Sequence, residues 1–189
     1  MTIFFTSDTH FSHARIIELC NRPFRDAQHM NEMLIHNWNS VVGQDDTVYH
    51  LGDVALGSIV DSLPLVGRLN GIKHLVPGNH DRIFSGSSKS KIDRFMPEYE
   101  KVFQFIEPEQ MWMKIDGMVF SLSHFPSSGD SQGTDRYAEF RPVESGIPLV
   151  HGHIHESRRI EGRMFNVGVD VNDFTPVHQS VITDWISTL

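Results

Sequence analysis

Five short fragments of the chain carry side chains that can hold a metal ion: Asp8-Thr9-His10, Gly52-Asp53, Gly78-Asn79-His80-Asp81, His124, and Gly152-His153-Ile154-His155. Carboxylate, imidazole and carboxamide make a nitrogen and oxygen donor set that suits manganese, iron or zinc and suits magnesium poorly, because magnesium prefers oxygen alone. Within Asp8-Thr9-His10 and within His153-Ile154-His155 the candidate ligands are two residues apart. In extended backbone such a pair points to one face, so each could address a single centre. Gly52, Gly78 and Gly152 precede candidate ligands, where a missing Cβ lets the backbone turn sharply and approach closely. One Asp-x-His is common by chance, whereas five such fragments in a fixed order are not. Two divalent cations about 3.5 to 4 Å apart share a bridging hydroxide, lower its pKa and clamp a phosphoryl group for in-line attack.

Elements that could position these fragments precede each of them. Apolar, β-prone runs occur at 3–6 (IFFT), 47–51 (TVYHL), 72–76 (IKHLV), 119–123 (VFSLS) and 147–150 (IPLV). In α/β sheets, sites gather beyond the carboxyl ends of strands, where loops converge from distant parts of the chain. Asp26 can cap a helix whose apolar positions Met30, Leu34, Trp38 and Val41 share a face and which should stop at Gly43. Residues 58–69 read as helical, with Pro64 kinking the helix or beginning it afresh. Asp116-Gly117 and Glu161-Gly162 read as tight hairpin turns. Strands alternating with helices early and hairpins late predict an α/β fold with two packed sheets. There is no internal repeat. Two polar stretches remain: Ser85 to Ser90, and the long loop from Pro126 to Ile147, which follows His124 directly and is expected to shape substrate choice.

The composition sets limits on function. With 189 residues, 39% apolar and 21% charged, the chain reads as a single globular domain over 1–189. No apolar run approaches the roughly 18 residues of a membrane helix, so no membrane partner is expected. The start, MTIFFTSD, has no basic region and a three-residue apolar stretch, so the expected location is cytoplasmic. Cys20 is the sole cysteine, which excludes an internal disulfide and a thiolate-rich zinc cluster, and it reads as a small buried apolar residue. Lys and Arg number 16 against 24 Asp and Glu, a net charge of −8. That sign argues against a grip on long nucleic acid and leaves a small phosphate-bearing substrate open. Twelve histidines against five lysines shift the basic side chains toward metal ligation.

In this order, DTH, GD, GNHD, a lone His after a strand, and GHIH resemble the motifs of the calcineurin-like metallophosphoesterases. The resemblance spans Asp8 to His155, and the tail FNVGVDVNDFTPV is similar to that of small bacterial and phage members. It implies a four-layer αββα sandwich of two mixed β-sheets with two divalent metal ions, manganese first and iron or zinc as alternatives. One metal would take Asp8, His10, Asp53 and His155, the other Asp53, Asn79, His124 and His153, with Asp53 bridging. His80 would sit near the phosphate and protonate the leaving oxygen, with Asn79 beside it on the substrate side. Asp81 is assigned to holding the loop. The protein serine/threonine phosphatases continue their GD motif with a further Asp and an Arg, whereas this chain reads GDVALG, which argues against that branch. Phosphate-binding groups must then come from elsewhere: Arg136 and Arg141 with Tyr137 and Phe140 in the long loop, and His13, Arg15 and Arg22 early in the chain. His50, His74 and His151 lie in predicted strands as core or supporting groups, while His29, His36 and His178 carry no assignable role. The expected activity is metal-dependent hydrolysis of a phosphate ester by a metal-bridging hydroxide, as a phosphodiesterase on small nucleotide-type, including cyclic, substrates. A phosphomonoesterase and a catalytically silent scaffold of the same fold are the alternatives, and silent scaffolds lose the ligands that this chain keeps.

Overall fold

The computed structural model describes residues 1–130 and 134–189. The predicted runs become strands whose ends shift by a residue or two: β1 (Ile3–Thr6), β2 (Thr47–His50) and β3 (Ile72–Leu75). These pair in parallel, Phe4 with Val48 and Val48 with Lys73, and the short β4 (Phe105–Ile106) adds to β3. Between them lie α1 (Ala14–Leu19), α2 (Ala27–Val41), α3 (Ile59–Ser62) and α4 (Lys89–Glu100). Phe4, Val48 and Leu75 on the sheet meet Met30, Leu34 and Trp38 of α2 and Tyr99 of α4 in one buried cluster. Each such side chain contributes about 1.5 to 3 kcal/mol by leaving water. The Asp26 carboxylate caps α2 by accepting the His29 N–H at 2.7 Å. The helix stops at Val41 instead of Gly43, because Val42 turns extended and buries its side chain. After α3, a 3-10 helix runs over Leu63–Arg68 with Pro64 in its first turn, so the proline begins a new segment. α4 interrupts what reads as a polar stretch: Ser88 is its N-cap, accepting from the Lys91 N–H.

The second sheet is built from β5 (Gln110–Ile115), β6 (Met118–Ser123), β7 (Leu149–His151), β8 (Ile160–Glu161) and β9 (Met164–Asn166), in the order β5-β6-β7-β9-β8. The Asp116-Gly117 hairpin forms as expected, both residues left-handed at φ 49° and 85°. In the later hairpin Glu161 pairs with Met164, so the two turn residues are Gly162 and Arg163, one position on from the expected pair. Phe5 of β1, with Leu51 and Val76 just past the ends of β2 and β3, packs against Phe120, Leu122, Val150 and Phe165 of the second sheet. Finally β10 (Val177–His178) pairs antiparallel with β1, and α5 (Gln179–Ser187) sets Ile182 and Trp185 into the core between the sheets. The result is the expected sandwich of two mixed sheets with flanking helices. Pro142 to Ile147, from the long loop, line a cleft with Ser121, Leu149 and Met164 of the second sheet. Residues 131–133 of that loop lie outside the described residues.

Candidate metal centre

The carboxyl ends of β1, β2, β3, β6 and β7 deliver the five fragments to one place. Their backbone is not extended there. Asp8, His10, Asp53, His153 and His155 all have positive φ, between 47° and 72°. The two-residue spacing therefore converges through left-handed turns, not through strand alternation as the spacing alone suggests. Such conformations are strained for residues with a Cβ and persist only where surrounding contacts fix them. Those contacts are visible: Asp8 N–H donates to the Gly52 carbonyl at 3.0 Å and His10 N–H to the Asp53 carbonyl at 3.1 Å. Gly52 is required by close approach, since a Cβ on it would strike the backbone of Gly78 and lie 2.9 Å from Nδ1 of His124.

Asp8, His10, Asp53, His124 and His153 are almost wholly buried. Asp8, His10 and His155 form one cluster of potential ligand atoms, and Asp8, Asp53 and His124 form another. Asp53 lies between the two halves: its Oδ2 is 3.7 Å from Nε2 of His10 and 3.6 Å from Nε2 of His124. Each carboxylate ties one oxygen to backbone and turns the other inward. Asp8 Oδ2 accepts the His153 N–H and Asp53 Oδ1 accepts the His80 N–H. Asp8 Oδ1 and both ring nitrogens of His10 are buried with no hydrogen-bond partner among the described residues. Leaving such groups unmade is expensive, and a cation would satisfy Asp8 Oδ1 together with Nε2 of His10, the ring nitrogen that faces Asp8 and Asp53. Nδ1 of His124 donates to the Leu51 carbonyl at 2.7 Å, which leaves the Nε2 lone pair facing Asn79 Oδ1 at 3.0 Å. With the carboxamide oxygen turned to that point, a cation between the two acceptors would satisfy both. Nδ1 of His155 likewise faces Asp170 at 3.3 Å, freeing Nε2. The donor set and these orphaned atoms fit divalent metal.

The local field points the same way. Burial raises the Asp8 carboxyl above its usual range. Against burial, the imidazoles of His124 and His80 hold Asp53 below it. Burial, then His155, keep His10 neutral, well below the ordinary imidazole value. Against burial, the hydrogen bond to Asp170, then Cys20 and Asp8, push His155 up to about 11. A negative pocket that holds a proton this firmly is one in which a dication would displace it. Burial drives His153 down to about 3, with His124 adding to the effect.

The remaining candidates divide. His80, with 46% of its side chain exposed, sits 4.0 Å from Asp53 Oδ2 and opens onto a cleft of about 370 Å³ together with His13, Ile16, Cys20 and Arg136. Arg22 is not free for substrate: it is fully buried, paired with Asp170 at 2.7 and 2.8 Å, and bonded to the carbonyls of Asp8 and Thr9. Arg141 is turned inward too, holding Asp130 at 3.0 Å and the carbonyls of Pro126, Gly129 and Arg136. Arg136 bonds Asp130 at 2.8 Å yet keeps 37% of its side chain exposed at the cleft. Arg15 is exposed on α1. Tyr137 and Phe140 pack on Phe84 and hold the long loop by its aromatic side chains. Asp81 accepts from the N–H groups of Asp53, Val54 and Gly78, fastening together the two loops that carry Asp53 and Asn79. Burial and the Asp53 carboxylate push Asp81 up to about 7.

His50 bonds Thr9, His151 the Gly152 carbonyl and His74 Glu107, so all three support the frame. His29 accepts the Arg25 N–H, and His178 caps α5 through the Ser180 N–H. Cys20 packs against the apolar cluster of the first sheet as expected but is half-buried, and its sulfur also lies beside His155 and Asp170, where three potential ligand atoms gather. Asp130 and Asp170 are supporting acids that the sequence did not single out. Asp170 lies within the quoted tail motif, and Asp130 lies in a loop with no pattern to mark it.

A family model described as the calcineurin-like phosphoesterase superfamily domain matches residues 1–182. The Gene 66 protein of Mycobacterium phage L5 is 34% identical over 181 residues, covering 88% of this chain and 85% of its own. An uncharacterized protein of Methanocaldococcus jannaschii is 32% identical over 97% of this chain and 90% of its own. Among solved structures, a protein of unknown function from Aquifex aeolicus superposes with a TM-score of 0.72 at 27% identity, covering 97% of this chain and 98% of that one.

Proposed function

Since the chain belongs to the calcineurin-like phosphoesterase superfamily, we propose that it is a dinuclear metal-dependent phosphodiesterase acting on small nucleotide-type esters, cyclic ones included. The observation that carries this reading is the convergence of Asp8, His10, Asp53, Asn79, His124, His153 and His155 around inward-facing atoms that lack partners, with His80 at the mouth of the adjoining cleft. Asp8, His10, Asp53 and His155 would hold one cation, and Asp53, Asn79, His124 and His153 the other. The bound pair, manganese for preference with iron or zinc as alternatives, would supply Lewis acidity toward the phosphoryl oxygens and a nucleophile at neutral pH.

The chain's own side chains do the rest. Asp53 places its charge between the two halves, and Asn79 directs its carboxamide oxygen at the same point as His124. His80, partly exposed and anchored through its N–H to Asp53, is placed to give a proton to the departing alkoxide. The cleft volume of about 370 Å³ accommodates a small ester. Its supply of cationic side chains favours a diester: Arg22 and Arg141 are turned inward on Asp170 and Asp130, and Arg136, partly exposed though also bonded to Asp130, is the guanidinium lining the cleft among the described residues. A diester carries one negative charge and asks for less compensation than a dianionic monoester. The net charge of −8 also favours a small substrate over a long nucleic acid. No helix among the described residues is long and apolar enough to cross a membrane.

The deciding experiment is turnover by manganese-loaded protein of p-nitrophenyl phosphate, bis-p-nitrophenyl phosphate, 2′,3′- and 3′,5′-cyclic nucleotides, and oligonucleotides. The expected result is metal-dependent kcat/KM highest on the small diesters and abolished by chelator. Turnover confined to monoesters or to oligonucleotides would overturn the substrate assignment, and no turnover of any ester with two metals bound would overturn the enzymatic one.

A further inference from the structure

Of the four histidines at the centre, His153 is held differently from the rest. His124 and His155 each engage Nδ1, with a carbonyl and with Asp170, whereas His153 presents Nε2 to Asp130 Oδ2 at 3.0 Å. Asp130 is buried and comes from the long loop, 23 residues away in sequence. Its carboxylate also binds Arg136 at 2.8 Å through Oδ1 and Arg141 at 3.0 Å through Oδ2. Two guanidiniums more than offset its charge, so a carboxylate at Asp130 can accept a hydrogen bond in a buried place without leaving net negative charge there. The ring of His153 is further confined by Phe125, 4.8 Å away between centroids, and by His124 at 5.1 Å.

We propose that Asp130 is a positioning residue: it accepts the Nε2–H of His153, fixes that tautomer and ring orientation, and so reserves Nδ1 for the metal. The inference rests on His153 being a metal ligand, as proposed above. An imidazole carries one proton between two nitrogens when neutral, so committing Nε2–H to a carboxylate leaves a lone pair on Nδ1 and nowhere else. A carboxylate behind a ligating histidine also raises its basicity, and removing one weakens metal affinity about 10- to 100-fold. Through the same carboxylate, the loop that places Arg136 at the cleft is tied to the ligand shell. The loop then does more than border the substrate, because its fold and the geometry of one metal ligand share a residue.

Two measurements test this. In metal-free wild-type protein, the 15N spectrum of the histidine side chains, with His153 assigned by the loss of its signals in His153→Gln, is expected to show the Nε2–H tautomer. In Asp130→Asn, which keeps the shape but not the charge, that signal is expected to become a tautomer mixture. Calorimetric titration with manganese should show one of two binding events weakened about 10- to 100-fold and the other within about threefold of wild type. The wild-type spectrum does not depend on Asp130→Asn, so it decides the point even where that variant fails to fold. An Nδ1–H tautomer in wild type, or unchanged manganese affinities in folded Asp130→Asn, would overturn the role of Asp130 and leave the proposed function standing. Wild-type protein that binds no manganese at all would overturn the metal reading and this inference with it.

Discussion

Replacing Asp81 separates a structural from a catalytic role, and the structure sets the magnitude. The carboxylate is fully buried and accepts four donors: the N–H groups of Asp53 at 2.9 Å, Val54 at 3.2 Å and Gly78 at 2.8 Å, and the Tyr99 hydroxyl at 3.3 Å. In Asp81→Asn the amide oxygen does best in place of Oδ2, keeping Asp53 and Gly78, while its NH2 faces Tyr99, which can turn to accept, and Val54, which cannot. One buried N–H is orphaned, at a cost of about 1 to 3 kcal/mol. In Asp81→Ala three backbone N–H groups are orphaned and a small void opens, for roughly 4 to 6 kcal/mol after allowing for relaxation. That approaches the entire stability of many domains. Urea unfolding of chelator-treated protein, followed by tryptophan fluorescence at pH 8 so that the wild-type carboxyl is ionised, reads both values. Equal losses for the two variants, or losses below about 0.5 kcal/mol for both, would refute the donor count as the source of the effect.

Asp53→Asn should leave fewer than two metals per chain by elemental analysis and lower kcat/KM at least about 100-fold, because the shared carboxylate is gone; two tightly held metals in the variant would contradict its bridging place. His80→Asn should cost roughly 10² to 10⁴ in rate on an ester with a ribose alkoxide leaving group and much less on one that releases p-nitrophenolate, with metal content unchanged. Equal losses on both substrates would remove the proton-donor role. His50 is driven by burial from 6.5 to about 3 in the folded state. The unfolded chain therefore binds the extra proton, and the stability from a neutral His50 is present above pH 6.5 and lost as pH falls toward 3, by up to about 1.4 kcal/mol per pH unit. His50→Gln should flatten that slope in urea midpoints measured between pH 7 and pH 4, and an unaltered slope would place the acid sensitivity elsewhere.

The candidate centre is legible in the sequence because each candidate ligand follows an apolar run and the order of fragments is fixed by topology. Asp26 and the spacing of Met30, Leu34 and Trp38 likewise announced α2, since a cap and a buried stripe are local signals. What stayed hidden depends on distant partners. Nothing near Arg22 says that Asp170, 148 positions on, will claim it, and nothing near Asp130 marks it as the acid behind His153. The left-handed backbone at Asp8 and His153 was hidden for the same reason, because it is imposed by carbonyls and side chains from other loops. α4 went unread because its first turn is serine and lysine and its single buried residue is Tyr99, too little periodicity to stand out from a loop.

The bond from the His153 N–H to Asp8 joins positions 145 residues apart; of the other candidate ligands, His10, Asp53, Asn79 and His124 lie between them and His155 just beyond. The donors proposed for one cation span 8–155 and those for the other span 53–153, so no fragment that stops before His153 holds a complete set. During synthesis the centre therefore arises only after the strand leading to His153 and His155 has been made, docked and paired. On the proposed ligand set, metal capture would be a late event that reports finished topology and would stabilise all five loops at once by mass action. A chain whose strands pair in the wrong register would leave the proposed ions in solution, which would make them a check on the order in which the sandwich was assembled.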